Sequence, residues 1–352
     1  MYQLPLTRCF LGRLLSFYLY VLLIPAQALA TQQVPDLALQ LLVARFQAAY
    51  RARDTDQLLS FWTTNAREAT AVKAQLAKEF AESRTSPLDI QLAQSPTVVE
   101  EEAWLYFKLL PAREPQGQDG IRSEFILYLR NEAGTGWKVS RSARNADTLA
   151  LILVTMKAES TRQPLLKIGQ SWNSAELGEG LRTTGDALAV MARYAQAELA
   201  HKLGLQVAEE SNDAKAIAMS LGGLGVIAQL QGDFATAQSY HQRSLQLAES
   251  IQQLESHAAA LVNLGNIHFL QGDFGRVQQH YQKALTVTEK ASSANTQTAV
   301  VLNEIATSAV LGVIELQLAQ GNLALAAEMT GKLPAGAGNP PCTKPKSRIA
   351  SG

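Results

Sequence analysis

Hydrophobic and polar residues change rhythm three times along the chain. Over 34–53 the apolar positions Leu37, Leu41, Leu42, Phe46, Ala49 and Tyr50 recur at three- and four-residue spacing, which predicts a helix. Asp54-Thr55-Asp56 marks a turn and a new helix start, carrying Leu58, Leu59, Phe61 and Trp62. A third helix is predicted over 65–80, with Ala66, Ala69, Val72, Leu76 and Phe80 on one side. The rhythm then turns to alternation. Ile90 to Ala93, Val98-Val99, 103–109 and 123–130 read as strands, and the last sets Phe125, Leu127 and Leu129 against Glu124, Ile126 and Tyr128. The Pro- and Gly-bearing stretch 111–120 reads as a long hairpin loop, 131–136 as a turn, and Trp137-Lys138-Val139 as a return strand. Helical spacing resumes over 147–157 through Leu149, Ile152, Leu153 and Met156, followed by a short connector at 160–168 that contains Pro164.

Beyond that point the pattern repeats. Gln-Gly-Asp-Phe occurs at 231–234 and again forty residues later at 271–274. At the same offset Leu221 matches Leu261, Leu224 matches Leu264, Gly225 matches Gly265, Leu245 matches Leu285 and Glu249 matches Glu289. Stepping back by forty aligns Tyr194 with Phe234, His201 with His241 and Leu205 with Leu245. Such a period predicts stacked helical hairpins, each too small to bury its apolar face alone. Within a unit, Gly232 suits the left-handed residue that ends a helix, Asp233 the cap of the next one, and Phe234 a packing contact back into the hairpin. Gly225 and Ala237 are the small contacts, and Val277 replaces the alanine in the following unit. Four hairpins are expected: two clear, an earlier one around 181–210 that keeps only its second helix well, and a later one marked by Gln320-Gly321-Asn322-Leu323 at a spacing of forty-nine.

Composition adds limits. The chain has 352 residues, enough for two domains, and 31 basic residues balance 31 acidic ones, so nothing favours nucleic acid as a partner. The first thirty residues differ from the rest: Arg8 and Arg13 precede the apolar run Leu14 to Ile24, Pro25 breaks it, and Ala28-Leu29-Ala30 has the small-x-small form of a cleavage site. This predicts a signal peptide at 1–30, an exported protein that is periplasmic or extracellular, and no stable membrane span after cleavage, since no other stretch reads as a span. Cys9 and Cys342 would leave the mature chain one thiol and no internal disulfide. The segment 333–352 is rich in proline and glycine, lacks an apolar period and is expected to be disordered. Its abrupt composition would also suit a truncated or frameshifted gene.

Two resemblances follow from these residues. The helices carrying Ala44-Arg45-Phe46 and Phe61-Trp62, followed by an antiparallel sheet ending in Gly136-Trp137-Lys138-Val139, resemble the NTF2-like (cystatin-like cone) superfamily over 34–145. The Leu, Gly, Ala and Phe positions of the repeats resemble the tetratricopeptide repeat (TPR) family over 174–332, with 146–173 as a helical connector. The expected fold is therefore an α+β NTF2-like cone domain followed by an all-α TPR solenoid. The whole order resembles the N-terminal part of bacterial exported TPR/CHAT-domain proteins, without the CHAT domain, so no protease activity is carried over to Cys342.

The TPR resemblance implies a protein or peptide partner held on the face lined by the first helix of each hairpin. That face is expected to carry Gly222, Gly223, Val226 and Gln229 in one unit, and Val262, Asn263, Asn266 and Phe269 in the next. No Lys or Arg occupies these positions, so a clamp for a peptide carboxylate is not expected, whereas Asn263 and Asn266 could bond a peptide backbone. Equivalent histidines such as His201 and His241 would lie about 10 Å apart at helix-packing distance, too far to share a metal ion. No phosphate loop, nucleophile elbow or metal signature is present, so neither cofactor nor metal is expected. The expected function is a non-enzymatic interaction scaffold of the bacterial envelope, with a possible small apolar ligand in the cone. Two alternatives stay open. One is an isomerase-type enzyme using Asp89 or Glu124 as base and Tyr50, Tyr106 or Tyr128 as donor, with repeats for localisation. The other is the truncated regulatory part of a TPR/CHAT protease.

Overall fold

The computed structural model describes residues 37–63, 66–82, 88–111, 124–143, 145–156, 159–289, 296–331 and 333. The expected signal peptide, the 112–120 part of the expected hairpin loop and the tail from 334 onward lie outside them. The chain divides into two compact units, Met1–Arg122 with Leu129–Ser140, and Ser123–Tyr128 with Arg141–Gly352.

The described chain opens with α1 (Leu37–Ala52), α2 (Thr55–Leu59) and α3 (Ala66–Glu82). Helix α1 buries Leu39, Leu42, Phe46, Ala49 and Tyr50, while Leu37 and Leu41 at its start stay exposed. Asp54 caps α2 by accepting a bond from the Gln57 amide at 2.9 Å, satisfying one of the amides a helix start leaves open. Five strands follow: β1 (Leu88–Leu92), β2 (Thr97–Val99), β3 (Glu102–Pro111), β4 (Glu124–Glu132) and β5 (Gly136–Ala143). They form one sheet in the order β1-β3-β4-β5, with β2 also on β3. The pairings of β1 and β2 with β3 are antiparallel, with Ile90 opposite Leu109 and Val98 opposite Ala103.

Aromatic packing ties α1 to the sheet. Phe46 stacks on Phe107 with ring centroids 5.4 Å apart and meets Phe61 edge-on at 5.7 Å. Gln47 and Arg51 both donate to the Ile90 carbonyl, at 3.2 and 3.1 Å. The alternation expected for β4 is not kept in burial, because Phe125 to Leu129 are all buried. A central strand covered on both faces needs no polar side, and an apolar run serves it as well as an alternating one.

In the second unit α4 (Ala146–Thr155) leads into α5 (Glu159–Val190), which is broken at Asn173 (φ −161°, ψ 103°) into two arms. Asn173 accepts from the Glu176 amide at 3.2 Å and so caps the second arm. Buried Arg162 closes the end of α4 by donating to the carbonyls of Leu153 (3.0 Å) and Met156 (2.7 Å). The helices then run as α6 (Tyr194–Glu210), α7 (Ala214–Leu230), α8 (Phe234–Ser250), α9 (Leu254–Leu270), α10 (Phe274–Thr288), α11 (Thr296–Ala319) and α12 (Leu323–Thr330). They pair as the second arm of α5 with α6, α7 with α8, α9 with α10, and α11 with α12.

The first of these pairs has both helices intact, where only the second helix was legible in the sequence. Its turn uses Ala192 in the left-handed region (φ +58°) and Arg193 as a helix start without a side-chain cap, in place of glycine and aspartate. In the next two pairs the tetrapeptide does what its residues suggest. Gly232 and Gly272 have φ of +83° and +75°, and Asp233 and Asp273 accept from the amides of Thr236 and Arg276. Phe234 packs against the cluster of Ala228, Ala237 and Ile267.

One expectation needs correction. Among the described residues Gln297–Ala319 is long and apolar enough to cross a membrane, where no such stretch beyond the N-terminal segment was expected. In this fold Leu302, Ala309 and Leu316 of that helix are buried against α9 and α10, so one side of it packs into the array, while Val300, Leu311 and Leu318 stay exposed.

Candidate functional site

The first helices of the pairs, the second arm of α5 with α7, α9 and α11, line one open groove with a cavity volume of about 270 Å³. Its floor is made of small residues, chiefly Ala218, Gly222 and Gly223 from α7 and Ala259 and Ala260 from α9. Gly222 is open: a methyl there would meet only the Ser244 hydroxyl, at 3.7 Å. Met219, Val226, Val301 and Ile305 supply apolar surface, and Asn263 and Ser256 supply polar groups.

Four of the expected contact residues change meaning. Val226 is 37 % exposed and, with half-buried Asn263, lines the groove. Val262 does not: it is 6 % exposed and belongs to the core with Leu302 and Ala309, because its side of α9 faces α11. Asn266 is held from within, since the Tyr281 hydroxyl donates to its Oδ1 at 2.6 Å. Phe269 is half-buried against Phe274, ring centroids 6.0 Å apart, and serves the hairpin. Gln229 is half-buried on α7, away from the groove lining.

The groove also holds charges that inspection of the clear repeats missed, because they sit on the first helix of the hairpin that looked degraded. Arg182 donates to Glu179 through Nε (2.9 Å) and Nη2 (2.5 Å), and to Asp186 through Nη1 (2.6 Å). Residues three and four apart share a helix face, which is what brings this triad together. The fork pairing holds the Glu179 carboxyl below its ordinary range and the Arg182 guanidinium above its own. A cation does therefore stand in the groove, on a helix outside the two units whose positions carry none, but two carboxylates already engage it. Glu255, on the opposite side, accepts from Gln253 (2.6 Å) and Thr298 (2.6 Å). The groove is thus a mixed surface, apolar along its floor and acidic at its edges.

Beneath the floor lie rings at equivalent positions of three successive second helices. His201 of α6 is wedged against Gly185 and Gly223, where an added methyl would come within 2.7 and 2.4 Å of the imidazole. His241 of α8 sits on Gly225 (2.5 Å), and Tyr281 of α10 on Gly265 (2.7 Å) and Gly312 (2.4 Å). The glycines of the repeat therefore make room for a ring. All three rings are at most 2 % exposed. Burial raises the Tyr281 phenol well above its ordinary value. No group of three or more metal-ligating side chains occurs among the described residues.

The helices and strands of 37–143 offer less to chemistry. Tyr50, Tyr106 and Tyr128 are buried, and no Asp or Glu is buried among the described residues. The side chains of Asp89 and Glu124, the proposed bases, lie outside the described set.

Comparison with known proteins agrees with the repeat geometry. Tetratricopeptide repeat family models match residues 220–255 and 257–296, so the chain carries tetratricopeptide repeats there. No curated protein matches the chain by sequence. Among solved structures, BtubC (BKLC) from P. vanneervenii is similar at 14 % identity with a TM-score of 0.41, over 59 % of this chain and 85 % of that one. Aspartyl phosphate phosphatase F from Bacillus subtilis is similar at 15 % identity and a TM-score of 0.36, over 53 % of this chain and 52 % of that one. PilF of Pseudomonas aeruginosa is similar at 15 % identity and a TM-score of 0.34, over 53 % of this chain and 73 % of that one.

Proposed function

We propose that this chain is a protein-interaction scaffold that holds a peptide or protein segment in the groove of its tetratricopeptide repeats. The observation that carries this reading is the groove itself: four successive first helices present small, apolar and hydrogen-bonding side chains to one open channel. A glycine and alanine floor admits a backbone closely, Asn263 offers an amide for it, and Val226 and Ile305 offer apolar contact. Arg182 is committed to Glu179 and Asp186, so a terminal carboxylate finds no open cation there, and internal segments suit the groove better. The export signature at 1–30 supports a place in the bacterial envelope, and the α+β unit, read as an NTF2-like cone, would hold a second partner or a small apolar ligand.

The test is affinity capture with the mature chain, run in parallel with a Val226→Glu/Asn263→Ala variant. The reading expects a defined set of partners that the variant loses while its far-UV circular dichroism is unchanged. Equal capture by both proteins refutes the groove as the contact surface. N-terminal sequencing of the secreted form checks the export reading, which expects Thr31 as the first residue.

A further inference from the structure

The three equivalent ring seats are not filled alike, and the difference has a chemical consequence. Tyr281 finds a partner for its polar atom, since the hydroxyl donates to Asn266 Oδ1. An imidazole is shorter and carries its nitrogens inside the seat. Nδ1 of His201 and both ring nitrogens of His241 are buried without a hydrogen-bond partner. Each ring is locked on glycine, and His201 is clamped between the first helix of its own hairpin and that of the next.

We propose that His201 and His241 make the repeat array acid-sensitive: taking up a proton parts the seats, loosens successive hairpins and so deforms the groove above them. A charged imidazole needs an acceptor at each nitrogen; neither nitrogen of His241 has one, and at His201 Asp186 stands 3.5 Å from Nε2 while Nδ1 has none. The surroundings of each ring decide how hard it resists the proton. Around His201 the second arm of α5 supplies Asp186, whose Oδ1 is 3.5 Å from Nε2, and Arg182, whose positive charge opposes protonation. On its other side the only charged residue of α7 is Lys215, exposed at the start of that helix. Around His241, α7 supplies Lys215 and α9 supplies Glu255, His257 and His268 as the ionisable groups of those helices, and burial alone sets the ring's affinity for protons.

Burial, joined at His201 by Arg182, pushes both rings down to about 4 from the ordinary 6.5. A depressed histidine favours the folded state above the unfolded value and withdraws that support as pH falls from 6.5 towards 4. At pH 5 each ring shifts the folded-to-unfolded ratio by about 30-fold, and the two together by about 900-fold. Carboxylates with ordinary values change little above pH 5; Asp186, which burial raises above its ordinary value, lies closer to this window and is present in both proteins compared below.

The test compares the full chain with a His201→Phe/His241→Phe variant in urea unfolding at pH 7.5 and pH 5.0. Phenylalanine is suited to the seat because Tyr281 already fills the equivalent one. His257, His268 and His280 are present in both proteins and cancel. The wild type is expected to lose roughly 10²- to 10³-fold more folded population than the variant between the two pH values. Equal loss, within threefold, overturns the proposal. A readout that needs no variant is the titration of the histidine ring protons of the wild type by NMR. Two rings that remain neutral at pH 5 support the proposal, and five rings that all titrate above pH 6 overturn it.

Discussion

Gly222 and Gly225 lie three residues apart on α7, and the structure assigns opposite signs to their replacement by alanine. In a helix interior the change from glycine to alanine gains about 1 kcal/mol, because glycine loses more backbone freedom on folding. At Gly222 the new methyl meets only the Ser244 hydroxyl, at 3.7 Å, an ordinary contact. That gain is therefore kept. At Gly225 the methyl would lie 2.5, 2.7 and 2.8 Å from three atoms of the His241 ring. The ring is 0 % exposed, so it has no solvent to retreat into. Overpacking of this kind costs about 1–3 kcal/mol, and three sub-3 Å approaches place it at the upper end. The net expectation is a stabilisation of about 0.5–1 kcal/mol for Gly222→Ala and a loss of about 1–2 kcal/mol for Gly225→Ala. The assay is urea or thermal unfolding followed by circular dichroism at pH 7.5, with the two variants measured side by side. Movement of both midpoints in the same direction by similar amounts would show that the glycine does not serve as the seat of a ring.

Other substitutions probe the remaining joints. Gly272→Ala should cost about 1 kcal/mol because φ is +75° there, while Gly275→Ala, three residues on and inside α10, should be neutral or stabilising; thermal midpoints separate the two. Asp213→Ala removes the cap that accepts from the Ala216 amide at 3.0 Å and should lower stability by about 1 kcal/mol, read from the urea midpoint. Arg162→Met keeps the stem of a buried side chain but leaves the carbonyls of Leu153 and Met156 without their donor, so unfolding should become easier by about 2 kcal/mol. Gly222→Ala also narrows the groove floor, so partner capture should weaken in a protein that melts no earlier than wild type; undiminished capture would place the contact elsewhere.

Much of the repeat array was legible because its turns are written in residues whose reasons are local. Gly232 and Asp233 announce a left-handed residue and a cap wherever they occur. The first hairpin was not legible for the converse reason. Ala192 adopts the same backbone at φ +58° and Arg193 starts the helix with no cap, so the turn survives on packing after its signature is gone. Losing that helix also hid Glu179, Arg182 and Asp186, whose spacing is visible once α5 is known to be helical there. Val262 and Asn263 show a different limit. Adjacent residues on a helix point about 100° apart, and nothing in α9 alone says which direction α11 will cover. The sheet unit gives a milder case, since strands buried on both faces need no alternation to advertise them.

The ring seats carry this further. A repeat requires of position 201, 241 or 281 a flat ring of limited size, because glycines on the first helices leave that much room. Tyrosine meets the requirement and also finds Asn266 for its hydroxyl. Histidine meets the requirement for size and fails the one for hydrogen bonding, leaving three buried nitrogens unpartnered across two seats. Packing alone does not account for that choice, since a phenylalanine would fill the same volume with no polar atom to bury. What distinguishes imidazole from the apolar alternative is that it can take up a proton as pH falls from the ordinary 6.5 towards 4. The fold thus explains why a ring is there, and the acidity of the surroundings is what remains to explain why the ring is histidine.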